Sequence, residues 1–329
     1  MRRRQFLTLV GGFASAHASP STAQQLKRLP VVAMVNPTIP LSNTIGSDPI
    51  ATLPRAFVHG LRDLGWIDGR TVIIERRSAE GDPQRAPAIM AELVALGVDV
   101  IMLGGLRWLH HAALAATRSV PIVAMFTDNP VATGLIASLA RPGGNLTGVT
   151  LATGAEFQSK RLQLLTEIAP MIARVAFLAP HEVLEQYRSA VPRPGVAVIP
   201  FQVDSPQQYS DAFAAVLAAG ADGLMVGGGL HYGNAQRIAA FATQNRLPAI
   251  YPWREAVDAG GLISYGTNVA ATWGQAARLV DRFLRGAKIG EVPTEQPTKF
   301  ELVINANSAK ALALTIPPNL IGLADEVIE

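Results

Sequence analysis

The stretch that decides the fold of this 329-residue chain occurs twice, as AELVALGVDVIM at 91–102 and as AAVLAAGADGLM at 214–225. In each copy an apolar segment with helical spacing ends at a glycine, Gly97 or Gly220, and an aspartate then precedes a short apolar run. Glycine commonly ends a helix, and a short apolar run bounded by turn residues is typical of a buried strand. Each copy therefore predicts a helix that turns back into a strand.

A second repeat follows in the same order, because SVPIV at 119–123 parallels RLPAI at 246–250. Around these segments, strand-like runs alternate with amphipathic helical runs. This alternation is typical of an α/β fold whose parallel sheets are covered by helices on both faces. The predicted strands are 31–35, 71–75, 98–103, 120–126, 175–178, 196–201, 221–226 and 247–251, and the predicted helices are 54–64, 82–96, 108–117, 129–139, 182–191, 207–219 and 235–244.

The repeats predict two α/β lobes of similar construction that close on a ligand as a clamshell. The alternative is that the two copies share only a helix–Gly–x–Asp–strand joint, which recurs in many α/β proteins without any duplication of a lobe.

The first 23 residues predict a cleaved export signal. Residues 1–4 (MRRR) are basic, residues 6–18 form a short apolar run, and residues 21–23 (STA) are small, as a signal peptidase requires. The apolar run is shorter than the roughly 20 residues of a membrane-spanning helix. RRQFL at 3–7 is similar to a twin-arginine export motif, which points to the periplasm of a bacterium. The alternative is an N-terminal extension without a targeting role.

Composition excludes several classes of protein. With 49% hydrophobic and 16% charged residues, the chain is not mainly disordered. It has no cysteine, which excludes disulfides, a thiolate nucleophile, cysteine-bound metal and a lipidated-cysteine anchor. The formal net charge of +3 equals the three arginines of the predicted signal, so the rest of the chain is formally neutral. Since no basic face is visible, we expect no nucleic-acid partner.

The motifs of common enzymes are absent from the sequence. It contains no phosphate-binding P-loop, no Gly-x-Ser-x-Gly turn and no His-Glu-x-x-His zinc pair. His110 and His111 are adjacent, so on a helix their rings point about 100° apart and do not readily share a metal. The glycines at 227–229 favour a tight strand-to-helix turn over a nucleotide loop. We therefore expect no enzyme activity, no cofactor and no metal.

Several longer segments carry a resemblance to a known family. The segments are LRDLGWIDGR at 61–70, AEGDP at 79–83, GLIASLARPGGNLTG at 134–148, YPWRE at 251–255, AGGLISYG at 259–266, QPTKFELVIN at 296–305 and IPP at 316–318. In this order they resemble exported substrate-binding proteins of ABC transporters, the group related to tryptophan- and tyrosine-type binding proteins.

The resemblance implies a type I periplasmic-binding-protein fold, with two Rossmann-like lobes joined by three crossovers. It implies a first lobe of residues 29–150 plus 263–286 and a second lobe of 151–262 plus 287–329. It also implies a monomer outside the membrane that captures a small carboxylate-bearing solute, an amino acid or an aromatic acid. The solute would pass to a membrane permease with its ATPase. A periplasmic sensing module for a membrane receptor is the alternative, and an exported α/β enzyme is a weaker one.

Candidate ligand-binding residues follow from a physical rule. In open α/β sheets, ligands bind beyond the carboxyl ends of the strands, where loops and helix N-termini meet. The rule selects Asn36, Gly105, Leu106, Arg107, Trp108, Asp128 and Asn129 in the first half, and His181, Glu182, Gly228, Tyr232, Tyr251, Trp253 and Arg254 in the second half.

Some of these residues have equally plausible structural roles. Asp128 either pairs with a ligand ammonium or caps a helix, and Arg254 either binds a carboxylate or forms a surface or interlobe ion pair. Trp253 is either an aromatic wall or a packing residue, and His181 also fits a solvated loop. At Leu106 and Arg107 the chain departs from the family, which commonly has a hydroxyl residue and a proline there. This departure puts an amino-acid ligand in doubt.

Overall fold

The computed structural model describes residues 28–151, 154–187, 194–297 and 299–329. The predicted export signal, residues 1–23, lies outside the described residues, as does the end of the predicted helix 182–191. Within the described ranges, no helix combines the length and the apolar character that crossing a membrane requires.

The first lobe is built on a five-stranded parallel sheet with the order β2-β1-β3-β4-β5. Its strands alternate with helices along the chain, which places a helix after each of the first three strands. The elements are β1 (Val31–Asn36), α1 (Thr52–Asp63), β2 (Ile73–Ser78), α2 (Ala86–Leu96), β3 (Val100–Leu103), α3 (Arg107–Ala116), β4 (Ile122–Phe126) and β5 (Leu146–Thr150).

The second lobe is built on a seven-stranded sheet, in the order β12-β11-β10-β9-β8-β6-β7, whose strands are parallel except for the pair β10 and β11. The elements that follow β5 in the chain are α4 (Ala155–Ile168), β6 (Arg174–Ala179), α5 (His181–Tyr187), β7 (Ala197–Gln202), α6 (Tyr209–Ala218), β8 (Gly223–Val226), α7 (Ala235–Gln244), β9 (Ala249–Tyr251), α8 (Glu255–Asp258), β10 (Ile263–Thr267), α9 (Val269–Leu284), β11 (Phe300–Asn305), α10 (Ala306–Ala311), α11 (Pro318–Leu323) and β12 (Glu326–Ile328). Of these, α9 packs on the first lobe.

The two sheets share one strand order. The run β2-β1-β3-β4-β5 in the first lobe corresponds to β7-β6-β8-β9-β10 in the second, and β11 and β12 extend only the second sheet. The predicted α/β fold with two lobes is therefore confirmed, and the sequence repeats mark equivalent places in the two lobes.

The Gly-x-Asp repeat has the same structural role in both lobes. Gly97 and Gly220 adopt the left-handed conformation, with φ of 72° and 62°, and turn the chain from helix to strand. The Asp99 carboxylate then accepts a hydrogen bond of 2.7 Å from the backbone N–H of Val31, which begins β1. The Asp222 carboxylate accepts an equivalent bond of 2.7 Å from Arg174, which begins β6. Each aspartate thus fixes the start of the neighbouring strand.

The predicted helix 129–139 is wrong, because this segment forms successive turns. The Asn129 side chain accepts hydrogen bonds from the backbone N–H groups of Val131 and Ala132. Gly134 then takes a left-handed φ of 73°, which ends any helix after one turn.

Segment 263–286, predicted as part of the first lobe, contains β10 and α9. β10 lies in the second sheet as the counterpart of β5, whereas α9 packs against α1 of the first lobe. The Trp66 indole of the first lobe donates a hydrogen bond of 2.8 Å to the Asp281 carboxylate on α9. We propose that the chain crosses from the second lobe back to the first at Asn268, between β10 and α9. The duplicated strand order requires β10 as the fifth strand of the second lobe.

A close approach between β4 and β5 requires glycine at position 148. A Cβ atom on Gly148 would lie 1.8 Å from the backbone oxygen of Ala124, a distance that only a backbone shift could relieve. Gly266 on β10 has the equivalent contact in the second lobe, where a Cβ would lie 2.0 Å from the oxygen of Pro252.

We predict that Gly148→Ala lowers the free energy of unfolding by at least about 2 kcal/mol, because the added methyl group meets backbone atoms that cannot rotate away. Gly144→Ala is the matched control: a Cβ there would have no atom within 4 Å, and we expect a change below about 1 kcal/mol. Urea denaturation of both variants measures the difference. Equal stability of the two variants would contradict the proposed close approach.

The buried histidine of α3 predicts a pH dependence of stability. Nε2 of His110 donates a hydrogen bond of 3.1 Å to the backbone oxygen of Gly104, and its ring packs edge-on against Phe126. Burial lowers the pKa of His110 from 6.5 to about 4, although the nearby Asp128 carboxylate opposes this shift. The unfolded chain therefore binds more protons than the folded protein between about pH 6.5 and pH 4, so acid removes stability across this window.

We predict that the loss of stability from pH 7 to pH 4.5 is smaller by about 2 kcal/mol in His110→Gln than in the unsubstituted protein. Glutamine keeps a donor for Gly104 but does not gain a proton. Denaturant unfolding at the two pH values checks this, and parallel losses in both proteins would show that His110 does not control the acid sensitivity.

Candidate ligand-binding site

The candidate site is a cavity of about 90 Å³ lined by both lobes. A single water requires about 15 Å³ on this scale, so the cavity has room for several water-sized groups. Its walls come from residues just beyond the carboxyl ends of β1, β3 and β4 in the first lobe and of β8, β9 and β10 in the second. This is the placement that the rule for open α/β sheets predicts.

The wall from the first lobe is neutral and tightly packed. Asn36, at the end of β1, is fully buried, and neither its Nδ2 nor its Oδ1 has a hydrogen-bond partner among the described residues. Gly104 and Gly105 follow β3, and a Cβ on Gly105 would lie 2.6 Å from Cγ2 of Thr127. The missing side chains let the backbone reach the cavity beside Asn36.

The wall from the second lobe carries a buried cation. Arg161 on α4 is only 2% exposed and lines the cavity. Its Nε donates a hydrogen bond of 2.8 Å to the backbone oxygen of Tyr265, and its Nη1 donates one of 3.1 Å to the amide oxygen of Gln158. Burial lowers the pKa of Arg161 to about 9, which still leaves the guanidinium protonated at neutral pH.

Aromatic rings complete the wall from the second lobe. The rings of Tyr232 and Trp253 both line the cavity, with centroids 5.4 Å apart. The Tyr232 hydroxyl donates a hydrogen bond of 2.8 Å to Glu255, and burial raises the pKa of that carboxyl group. Nε1 of Trp253 is buried without a hydrogen-bond partner in the described part of the chain. Trp273 on α9, which packs against the first lobe, adds a third aromatic ring to the lining from that side.

The structure brings six of the sequence-predicted residues to the cavity. A second hollow of about 580 Å³ adjoins it between the lobes, and Leu106 contributes to both. Arg107, Trp108, Asp128 and His181 line this outer hollow. The six residues at the cavity are Asn36, Gly105, Leu106, Gly228, Tyr232 and Trp253.

Other sequence-predicted residues lie elsewhere. Tyr251 is fully buried in the core of the second lobe, outside the cavity lining. Arg254 forms ion pairs with Glu326, at 2.9 Å, and with Asp258, so among its alternatives an ion-pair role is the one observed. Asn129 caps the turn described above. Glu182 lies on α5, and its side chain is outside the described part of the structure.

Asp128 has a role that neither sequence alternative included. Its carboxylate pairs with the Arg107 guanidinium, with Nε at 2.7 Å from Oδ2, and the Asp128 side chain is only 6% exposed. The arginine that departs from the family pattern therefore meets an acid 21 residues further along the chain. Asp128 lies in the outer hollow with its charge already compensated.

Sequence reasoning missed Arg161 and Gln158, because the rule considers loops after strands and both residues lie within a helix. A signal was present, however. Gln158, Arg161, Leu162 and Leu165 recur at the spacing of one helix face, and all four are buried. An arginine on the buried face of a helix marks a functional candidate.

Over the described residues, no group of three or more His, Asp or Glu side chains is placed to hold a metal ion. The cavity instead offers one guanidinium, one unpartnered amide and an aromatic wall. Chemically, this arrangement can bind a small anion that carries an apolar or aromatic body.

Comparison with known proteins gives the class of the molecule. The family profile described as ABC transporter substrate binding protein matches residues 38–328, and the chain belongs to this family. The protein is therefore a substrate-binding protein and not an enzyme, and its family comprises extracellular and periplasmic binding proteins.

Individual relatives agree with this assignment. A tyrosine-binding protein of Clostridioides difficile (strain R20291) is 23% identical over 286 residues, which cover 83% of this chain and 80% of that protein. An ABC domain from Streptococcus pneumonia in complex with L-Trp is 21% identical, with a TM-score of 0.80 over 92% of this chain and 100% of that one. A conserved domain protein from Vibrio cholerae, also 21% identical, has a TM-score of 0.81 over 91% and 100%.

We predict that Asp128→Asn lowers the free energy of unfolding by about 1 to 2 kcal/mol, because it leaves the partly buried Arg107 guanidinium without its counter-ion. Glu80→Gln breaks an exposed pair with Arg85 and serves as control, with an expected loss below about 1 kcal/mol. Denaturant unfolding of both variants checks the difference. A loss no larger in Asp128→Asn than in the control would show that the Arg107 pair contributes little.

Proposed function

We propose that this chain is the periplasmic receptor of an ABC importer, and that it captures a small carboxylate-bearing solute between its lobes. The solute is an amino acid or an aromatic acid, and closure delivers it to a membrane permease. Residues 1–23 act as the export signal, through the twin-arginine route, and the mature receptor is a monomer. The cavity between the lobes and the membership of the family support this proposal.

The buried Arg161 is the observation that supports a carboxylate-bearing solute. A guanidinium presents its N–H groups in a planar fork that matches a carboxylate, and charge-assisted hydrogen bonds are about twice as strong as neutral ones. Arg161 lines the cavity, so a ligand carboxylate there accepts charge-assisted hydrogen bonds from its guanidinium.

The remaining contacts fit the body of such a solute. Tyr232, Trp253 and Trp273 offer aromatic faces and edges, which stack on a planar ring. Asn36 and the glycines that follow β3 belong to the other lobe, so a solute that contacts Arg161 and Asn36 together joins the lobes. Since such a ligand binds the closed arrangement better than an open one, binding favours closure.

We predict that the protein purified without denaturation carries an organic acid, which native mass spectrometry detects as a mass adduct. Arg161→Gln removes the charge, and we expect affinity for the identified acid to fall about 10- to 100-fold, with loss of the adduct. Arg141→Gln, at an exposed position, is the control and retains the adduct.

Denaturant unfolding of both variants verifies that they are folded. An adduct without an acidic group, or one that Arg161→Gln retains as fully as Arg141→Gln does, would contradict the proposed role of Arg161.

A further inference from the structure

The outer hollow adjoins the cavity along a shared wall. Residues of both lobes line the two spaces together, namely Thr38, Leu106, Thr127, Val183 and Gly229. The hollow is the larger space, at about 580 Å³ against about 90 Å³ for the cavity. A molecule held in the cavity therefore has room to extend into the hollow while it stays between the lobes.

The size of the cavity favours such an extension. A cavity of about 150 Å³ holds one benzene molecule. The cavity between the lobes, at about 90 Å³, is smaller than that. A ring that also carries an acidic group therefore does not fit inside it completely in this arrangement of the lobes, and the rest of the solute lies in the outer hollow.

The Arg107–Asp128 pair gives the hollow a hydrogen-bond donor and an acceptor. Both described contacts between these side chains end on Oδ2 of Asp128, from Nε of Arg107 at 2.7 Å and from its Nη2 at 2.5 Å. No hydrogen bond within the described residues involves Nη1 of Arg107 or Oδ1 of Asp128. The Arg107 side chain is 28% exposed and lines the hollow, so its remaining N–H groups can reach a ligand there.

An amide group matches this pair. The charges of Arg107 and Asp128 already balance each other, so a neutral ligand group avoids adding an uncompensated charge to a partly buried place. An amide offers a carbonyl oxygen that accepts from the guanidinium and an N–H that donates to the carboxylate. Hydrogen bonds to charged groups are stronger than those between neutral groups, so the pair holds an amide well.

We propose that the solute is an aromatic acid extended through an amide, either an N-acylated aromatic amino acid or a short peptide with an aromatic C-terminal residue. This rests on the proposed function, because the acidic group occupies the same cavity beside Arg161. The amide lies in the outer hollow, with its carbonyl oxygen on Arg107 and its N–H on Asp128. These two residues thereby determine specificity for the amide.

The test compares ligands that share one aromatic acid and differ in the amide. Isothermal titration calorimetry of the mature protein, refolded from denaturant to remove carried ligand, measures N-acetyl-L-tyrosine, L-tyrosine and 3-(4-hydroxyphenyl)propanoate. The propanoate lacks both the amide and the ammonium group, so it separates a gain from the amide from a gain by loss of charge. We expect N-acetyl-L-tyrosine to bind at least 10-fold more tightly than either of the others. Equal or weaker binding of N-acetyl-L-tyrosine overturns the proposal.

Glycyl-L-tyrosine distinguishes the two sources of the amide. Tighter binding of this dipeptide than of N-acetyl-L-tyrosine, when both bind more tightly than L-tyrosine, supports a peptide as the solute. Tighter binding of N-acetyl-L-tyrosine supports an acylated amino acid. A gain for the dipeptide alone overturns the proposal, because the dipeptide adds an ammonium group as well as an amide.

A double variant tests the assignment to the pair. Arg107→Met combined with Asp128→Leu removes both partners together and leaves neither charge alone. We expect the preference for N-acetyl-L-tyrosine over L-tyrosine to fall below about 3-fold in this variant. The matched control combines Lys288→Gln with Glu291→Gln, which removes an exposed pair, and keeps the full preference. A preference that the double variant keeps as fully as the control overturns the role of Arg107 and Asp128.

Failure of this proposal and failure of the proposed function give different results. If the amide brings no gain while the native adduct is an acid that depends on Arg161, this proposal fails and the proposed function stands. Absence of binding by all four compounds also overturns this proposal, and the adduct then still decides whether the protein is a carboxylate receptor. Denaturant unfolding verifies the fold of the double variant, and the unsubstituted protein carries the comparison of ligands independently.

Discussion

The carboxylates of Asp99 and Asp222 set the geometry on which both lobes depend. Each binds the first backbone N–H of the neighbouring strand, at Val31 in one lobe and at Arg174 in the other. Because a strand advances by a nearly constant distance of about 3.3 Å per residue, fixing its start also fixes where its far end lies. The end of β1 thereby delivers Asn36 to the cleft, beside the loop that follows β3. The hydrogen bond at the start of β1 therefore helps to determine the position of Asn36 at the far end of the same strand.

The shared scaffold carries two different walls. In the first lobe, the glycines that follow β3 allow close approach of the backbone beside Asn36, whereas the second lobe supplies a cation and aromatic rings. Both walls line the same cavity. The outer hollow, lined by the Arg107–Asp128 pair, lies next to the cavity, and its charges are balanced within the first lobe.

Arg161 connects the core of the second lobe to the cavity. Its hydrogen bond to the oxygen of Tyr265 attaches the guanidinium to β10, the strand that leads into α9 and hence into the first lobe. Burying a cation costs free energy. Under the proposed function, a bound anion lowers this cost and stabilises the liganded protein.

Much of the fold was predictable because its signals are local. Gly97 and Gly220 end helices within one turn of the residues that define them, and helix 235–244 was predicted with the bounds that α7 has. The helix predicted at 129–139 failed because the Asn129 side chain and Gly134 favour turns, which hydrophobic periodicity does not register. The division of segment 263–286 between the lobes stays a proposal, because whether β10 pairs with the first or the second sheet depends on distant strands, which local patterns do not register.

The candidate site shows the same difference between local signals and long-range contacts. By itself, the sequence determined the strand ends and hence placed Asn36, Gly105, Tyr232 and Trp253 near a cleft, since strand direction decides which loops share an edge. Only the tertiary structure decided that Arg161 faces the cavity while Arg254 turns to Glu326. Charge partners join residues far apart in the chain, and no pattern within a turn or a strand specifies which acid an arginine will meet.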